Sequence, residues 1–265
     1  MESKIAKAIH LKDFPVAVIW TDQKPEGAIE FVPGRWGCVA AMLNAAARGK
    51  TVVFSRETFG CLGGGAGLGF GNTYEKFPGG IEYFLSTGNP EFCQSELGRQ
   101  LLKTSPHFEH GEGYQKTPAV AKRFAEALPT IDVPTKYIVY KPLDKTAPDE
   151  TPKLIVFLVN PDQLSALNVL ANYSRGTHDN VCVEFGAGCH QTGIFAYREA
   201  AKEFPELPRA VIGLTDISVR KSFARDILSF TVPYKMFMEM ENDVEGSFLE
   251  KEEWLKVAER YQVLC

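Results

Sequence analysis

The residues of this chain with the most distinctive chemistry are its six cysteines: Cys38, Cys61, Cys93, Cys182, Cys189 and Cys265. No two of them form a Cys-x-x-Cys pair, so the close spacing of structural zinc sites and of the common ferredoxins is missing. The N-terminal residues lack the apolar core of a signal peptide, which favours reduced thiols over disulfides. Metal binding, catalysis and simple burial are then the roles left open for these thiols.

Cys61 stands in the densest glycine run of the chain, GCLGGGAGLGFG at residues 60–71. Glycine allows positive φ and a close approach to a bound group. Such a loop could cradle an anion, wrap a cysteine-ligated cluster, or be a plain flexible turn. The dinucleotide fingerprint fails because no three glycines are spaced i, i+2 and i+5. We expect a functional loop in which Gly63, Gly64 and Gly65 contact a cofactor.

Cys38 follows a glycine at the predicted start of an alanine-rich helix, where the helix dipole favours a thiolate. If the strand after that helix returns past the helix start, Cys38 and Cys61 lie close together. Cys189 lies in a second glycine-bearing loop, GAGCHQTG at 186–193. We therefore predict Cys38, Cys61 and Cys189 as metal ligands, with Cys93 as the fourth. Cys182 is expected to be a buried strand residue.

Histidines near these cysteines leave alternatives open. His190, beside Cys189, could be a ligand or a base, although a single histidine is more often at the surface or hydrogen-bonded in the protein. His107 and His110 in the segment HFEHGEG could bind a metal together with Glu109 or Glu112, although a solvated loop is the preferred interpretation. None of these residues stands in a HExxH zinc motif.

The elements that position these residues alternate between strands and helices. The predicted strands cover 15–20, 51–55, 135–140, 153–159, 180–185 and 209–214. The predicted helices cover 2–10, the stretch from about 38 to 48, 79–87, 92–103, 117–128, 162–176 and 194–203, with a closing helix through about residue 261. Residues 141–152 read as a solvated linker. This order predicts an α/β (or α+β) fold.

The same order of elements occurs twice along the chain. A strand, a helix that ends in Arg-Gly, a second strand and a glycine-bearing cysteine loop follow one another in each half. Cys61 lies twelve residues after Gly49, and Cys189 lies thirteen residues after Gly176. We therefore predict two pseudo-symmetric repeated units. They are residues 1–145 with Cys38, Cys61 and the glycine run, and residues 146–265 with the Cys189 loop.

The charge and hydropathy of the chain exclude several classes of partner. The formal net charge is −4 and the basic residues are scattered, so no basic surface for nucleic acid or an anionic membrane is expected. No apolar run approaches the roughly 18 residues of a membrane-spanning helix. We expect a cytoplasmic protein with an electron-transfer partner or a small-molecule ligand. Self-association into a homo-oligomer is left open.

The motifs together resemble a known family. A PVAV strand, a cysteine that opens an alanine-rich helix ending in Arg-Gly, and the segment GCLGGGAGLGF resemble the DUF169 family of archaea and anaerobic bacteria. NPDQLSALNVLANYSRG, followed by a cysteine loop, adds to a likeness that covers nearly the whole chain. Its anaerobic distribution implies cysteine-ligated iron–sulfur chemistry at Cys38, Cys61 and Cys189. A late Gly-Cys near an arginine, expected of many members, is missing here, where Arg220 has no cysteine beside it.

Three functions are consistent with these residues. The leading hypothesis is an iron–sulfur protein, with a 4Fe-4S cluster ligated by cysteines, that serves a redox reaction or electron transfer with an unknown substrate. The first alternative is a cofactor-free enzyme that uses Cys61 or Cys38 as a nucleophile. The second alternative is a protein that binds a small anionic ligand without chemistry.

Overall fold

A computed structural model of the chain describes residues 1–262. Its strands are β1 (Val16–Thr21), β2 (Val52–Ser55), β3 (Tyr137–Pro142), β4 (Leu154–Val159), β5 (Val181–Val183), β6 (Ala210–Gly213) and β7 (Leu228–Pro233). They form one mixed sheet in the order β2-β3-β1-β4-β7-β6-β5. Only β5 and β6 pair in parallel among the described strands.

The α-helices are α1 (Lys4–Ala8), α2 (Val39–Ala47), α3 (Leu62–Leu68), α4 (Ile81–Phe84), α5 (Glu96–Leu102), α6 (His107–His110), α7 (Pro118–Glu126), α8 (Pro161–Asn172), α9 (Gly188–Gln191), α10 (Ile194–Ala200), α11 (Ile217–Arg220), α12 (Tyr234–Asn242) and α13 (Glu252–Gln262). Short 3₁₀ helices cover Thr73–Lys76, Phe92–Gln94, Leu143–Lys145 and Phe248–Glu250. Within residues 1–262, no helix has both the length and the apolar character needed to cross a bilayer.

Helices cover both faces of the sheet. All six residues of β4 are buried, and they alternate between two cores because successive side chains of a strand point to opposite faces. On the face of Val156, here called the front face, the core includes α2, α3 and α10. On the face of Ile155, the back face, it includes α1, α8, α12 and α13. The result is a three-layer α/β/α arrangement.

The predicted α/β class is confirmed, and each predicted strand has a counterpart in the sheet. Two predictions from local sequence were wrong. The glycine run at 60–71 contains a helix, α3, and the second cysteine loop at 186–193 contains α9. The expected linker at 141–152 starts later than predicted, because residues 141 and 142 belong to β3 and Leu143 is buried in the back core, whereas residues 144–151 are mostly exposed.

The two halves of the chain meet in the antiparallel pair of β1 and β4, where Ala17 lies opposite Ile155. If the halves were repeated units, a twofold axis between β1 and β4 would relate them. Such an axis is perpendicular to the sheet, so it leaves each element on the same face of the sheet. The helices that the sequence matches to each other, α2 and α8, pack on opposite faces, so that axis does not superpose them. Internal duplication, and a division of the chain near residue 145, therefore stay predictions.

Candidate thiol site

Three of the four predicted metal ligands come together at the starts of helices on the front face. Cys38 is the N-cap of α2, Cys61 is the N-cap of α3, and Cys189 lies in the first turn of α9. All three residues keep some contact with solvent, although the thiols of Cys61 and Cys189 are largely desolvated. They are close enough that charge on Cys61 and on Cys38 raises the pKa of Cys189. Side chains from both halves of the chain thus form one site, which we call the thiol site.

The first turn of α3 holds two of these sulfurs. The amide of Gly64 donates a hydrogen bond of 3.2 Å to Cys61 Sγ, and the thiol of Cys189 donates one of 3.1 Å to the carbonyl of Gly63. The amide of Gly65 donates instead to the carbonyl of Cys61, at 2.9 Å. Of the three glycines predicted to contact a cofactor, Gly64 and Gly63 have amides that lower the pKa of Cys61, and the effect of Gly64 is the larger.

The glycines allow α3 and α9 to pack backbone against backbone. A Cβ atom at Gly67 would lie 2.6 Å from the carbonyl carbon and oxygen of Cys189. A Cβ atom at Gly193 would collide with the carbonyl oxygen of Gly67, and one at Gly64 would lie 2.8 Å from Val39 Cγ2. The glycine run therefore allows close helix packing, and this packing sets the distance between Cys61 and Cys189. It does not form a flexible ligand-binding loop.

The environment disfavours the thiolates of Cys61 and Cys189. Burial raises the pKa of Cys61, the amide of Gly64 opposes that effect, and charge on Cys38 adds to it. Desolvation by the surrounding protein raises the pKa of Cys189 well above its ordinary value, and charge on Cys61, Cys38 and Asp216 raises it further. The charge that acts on each thiol comes mainly from the neighbouring cysteines, with Asp216 adding to it at Cys189.

Tyr74 and His190 form a buried pair beside the thiols. The hydroxyl of Tyr74, in the 3₁₀ helix Thr73–Lys76, lies 3.1 Å from His190 Nε2, and the amide of Ala187 donates to His190 Nδ1 at 3.3 Å. His190 is 1% exposed, and burial lowers its pKa to about 4. Both ring nitrogens are engaged by these groups, so His190 is not arranged as a base for the neighbouring thiol of Cys189.

Two carboxyl groups complete the acidic side of the site. Asp216, the N-cap of α11, accepts hydrogen bonds from the amides of Gly188 at 3.2 Å and Ser218 at 2.9 Å. Burial raises the pKa of Glu112 to about 7, and charge on Asp216 raises it too. Both carboxylates also raise the pKa of Tyr74, after desolvation and the two thiols Cys189 and Cys61.

The sequence gives no local signal for this acidic side. Tyr74 and Asp216 were not predicted, and Glu112 was named only in an alternative metal site in the HFEHGEG segment. Their partners lie far away along the chain, and only the fold brings them together. The proximity of Cys38 and Cys61, by contrast, could be predicted from the sequence, because it follows from one helix and the strand after it.

Cys93 lies apart from the other predicted ligands. It is buried in the 3₁₀ helix Phe92–Gln94, which packs beside α5 and α6. Burial raises the pKa of Cys93, and the charge that adds to this effect is that of Glu109 rather than that of another thiol. The structure thus brings together Cys38, Cys61 and Cys189 without Cys93. Cys265 lies outside the described residues.

A second group of metal-binding residue types, on and near β5, is an ion-pair network. The ligand atoms of Cys182, Glu184 and Glu199 lie within 4.8 Å of one another. Although burial opposes it, hydrogen bonds from Arg209 and Lys202 lower the pKa of Glu199 to about 2. Glu199 is therefore an ionised carboxylate already neutralised by two basic side chains. Cys182 is half-buried beside it rather than fully inside the core.

Comparison with known proteins adds one relationship. Neither a search of curated proteins nor a search of solved structures finds a match. The model of the DUF169 family, described as uncharacterised ArCR, matches residues 4–243 and so spans Cys38, Cys61, Cys189 and the acidic groups around them. The chain therefore belongs to the DUF169 family.

Proposed function

We propose that Cys38, Cys61 and Cys189 bind a thiolate-ligated metal centre, with an iron–sulfur cluster as the leading candidate, and that the protein serves a redox reaction or electron transfer. The observation that carries this proposal is the convergence of three thiols, from both halves of the chain, at the starts of three helices. A bound cation would displace the thiol protons, because the ligand is the thiolate.

The raised pKa values argue against Cys61 or Cys189 as a nucleophile. A nucleophilic thiol works through a depressed pKa, which a neighbouring base or cation provides. Here the pKa values of Cys61 and Cys189 are raised, and His190 is engaged by Tyr74 and Ala187. The backbone amides of Gly64, of Cys61 itself and of Gly63 favour a thiolate at Cys61, but burial has the larger effect.

Three thiolates could hold either a single ion or a cluster. In a tetrahedral zinc site with Zn–S bonds of about 2.3 Å, the sulfurs lie about 3.8 Å apart. The three sulfurs of Cys38, Cys61 and Cys189 do not all lie within 4.8 Å of one another, so they would have to move closer together to hold one ion. In an iron–sulfur cluster each thiolate binds its own iron atom, and we therefore favour the cluster.

Within residues 1–262, three thiolates leave one position of a cubane cluster without a cysteine, since Cys93 lies elsewhere. That position is available to a small molecule, which suits a redox reaction on a substrate as well as electron transfer to a partner protein. The hydrogen bond from the Gly64 amide to Cys61 Sγ is of the kind that tunes the reduction potential of a cluster.

Anaerobic reconstitution followed by iron and sulfide analysis tests the proposal. We expect stoichiometric iron and acid-labile sulfide in the wild-type chain. Cys38→Ser, Cys61→Ser and Cys189→Ser should each lose most of both, because each removes a ligand. Cys182→Ser is the matched control and should keep the wild-type content, since its thiol belongs to the ion-pair network. Cys93→Ser should keep it as well.

Two outcomes would count against the proposal. A wild-type chain without stoichiometric iron after anaerobic reconstitution would exclude the cluster. In that case the pH profile of iodoacetamide alkylation at Cys61 tests the nucleophile instead: a profile with a midpoint well below pH 8 would favour it. Equal iron in the wild type and in all three ligand variants would show that the iron binds somewhere else.

A further inference from the structure

The hydrogen bonds of His190 fix the position of its ring hydrogen. The amide of Ala187 donates to Nδ1 at 3.3 Å, so Nδ1 carries a lone pair and no hydrogen. The hydrogen of the neutral ring is therefore on Nε2, which lies 3.1 Å from the hydroxyl of Tyr74. Consequently His190 donates to the phenol oxygen of Tyr74, and the phenol accepts.

The hydroxyl hydrogen of Tyr74 is then available for another acceptor. Within residues 1–262, the hydroxyl of Tyr74 has His190 as its one hydrogen-bond partner. The hydroxyl lies against the first turn of α3, where a Cβ atom built on Gly63 would stand 2.9 Å from it. The carbonyl of Gly63 takes the thiol hydrogen of Cys189, and Cys61 is two residues earlier. The free donor therefore faces the thiol site.

The surroundings of the ring show that the hydroxyl is not needed for packing. Tyr74 packs at one end of a group of aromatic side chains, and its ring centroid lies 6.3 Å from that of Phe77. Phe77 in turn contacts Phe84 and Phe108. A phenylalanine would fill the same space as Tyr74. Tyrosine differs from phenylalanine here only by the hydroxyl group. A buried hydroxyl donor forms its strongest hydrogen bond when the acceptor is anionic.

We propose that Tyr74 donates a hydrogen bond to an electron-rich atom of the group held by Cys38, Cys61 and Cys189. This inference rests on the proposed function. The acceptor is an inorganic sulfide of the cluster or an atom of a small ligand at the position without a cysteine. His190 is a positioning residue, because its donation to the phenol oxygen directs the phenol hydrogen toward the thiol site.

The test uses the full chain after anaerobic reconstitution, as wild type, Tyr74→Phe and the control Tyr83→Phe, whose side chain is 38% exposed on α4. Three quantities are measured: iron and sulfide content, reduction potential, and the dissociation constant of cyanide as a probe of the open position. We expect Tyr74→Phe to bind iron, since the three thiols remain. Its reduction potential should fall, or its cyanide affinity should fall about 10-fold, because a hydrogen bond to a charged acceptor is lost.

The outcomes distinguish the two acceptors and the two proposals. A lower reduction potential in Tyr74→Phe identifies a cluster sulfide as the acceptor, because a hydrogen-bond donor stabilises the more negative reduced state. Weaker cyanide binding with an unchanged potential identifies an atom of the small ligand as the acceptor. Iron-loaded Tyr74→Phe that matches wild type and Tyr83→Phe in both quantities overturns the role of Tyr74 and leaves the metal centre standing. Wild type that binds no iron overturns the proposed function and this inference with it. Loss of iron by a folded Tyr74→Phe chain, with Tyr83→Phe loaded, also overturns the inference, because Tyr74 would then be needed to form the site and not to donate to a group that the thiols already hold.

Discussion

At the scale of single residues, the pKa of Glu112 can be tested in the metal-free protein through the pH dependence of its stability. Burial raises its pKa to about 7, and charge on Asp216 contributes. In the unfolded chain the same carboxyl group has its ordinary pKa of 4.5. Between these two values the folded protein holds more protons than the unfolded chain, so stability falls as the pH rises. Above pH 7 the folded protein bears the full loss of stability that comes from ionising this buried carboxyl group.

Glu112→Gln should remove this penalty. In the metal-free protein we expect the variant to gain stability relative to wild type as the pH rises from 4.5 to 8. A gain of about 1 kcal/mol in the free energy of unfolding is expected at pH 8, which allows for solvent screening of a half-buried carboxyl group. Urea unfolding at a series of pH values measures the difference.

Glu126→Gln provides the matched control, because Glu126 is exposed near the end of α7. Its difference from wild type should stay constant across the same pH range. A Glu112→Gln difference that is equally flat, or one that falls as the pH rises, would show that the carboxyl group of Glu112 ionises in the folded protein as freely as in water.

At the scale of elements, the contact between α3 and α9 holds the thiol site together. Gly67→Ala should break it, because the added Cβ atom would stand 2.6 Å from backbone atoms of Cys189, which cannot move aside as a side chain can. Alanine is the better helix former by about 1 kcal/mol, but the collision outweighs that gain. We expect a net loss of about 2 kcal/mol in the free energy of unfolding, measured with urea, together with reduced iron binding.

Gly176→Ala is the control for this change. Gly176 lies in an exposed loop, and a Cβ atom there would meet nothing within 4 Å. We expect its stability to stay within about 1 kcal/mol of wild type, in either direction. If Gly67→Ala were as stable as Gly176→Ala and bound iron normally, then α3 and α9 could separate without consequence and the packing argument would fail.

The same pair of helices shows what local sequence could and could not predict. Alternating apolar strands and helices with Arg-Gly ends were sufficient for the α/β class and for most element positions. Helix α3 was missed because each glycine in a helix costs about 1 kcal/mol relative to alanine, so LGGGAGL reads as a loop. Its helical state depends on packing against Cys189 and Val39, which local sequence does not reveal. The positions of Tyr74 and Asp216 depend on long-range contacts in the same way.

At the scale of the whole molecule, contacts between the two halves of the chain are extensive. The antiparallel pair of β1 and β4 places Val16 opposite Val156 and joins residues 1–145 to residues 146–265. Helix α13 returns to the first helix, where Trp254 Nε1 donates a hydrogen bond of 2.9 Å to the carbonyl of Ala8. Each half therefore buries part of its apolar surface only against the other half.

These contacts predict that the two halves unfold together. Two single-tryptophan variants test this, one retaining Trp20 on β1 and the other retaining Trp254 on α13, with the remaining tryptophans changed to phenylalanine. In each variant the urea midpoint from tryptophan fluorescence should coincide with the midpoint from far-ultraviolet circular dichroism, as a two-state transition requires. Comparing both probes within one variant cancels any loss of stability from the substitutions. A Trp254 midpoint clearly below that of the circular dichroism would mean that α13 or the second half separates first, and the sheet would then not act as one cooperative unit.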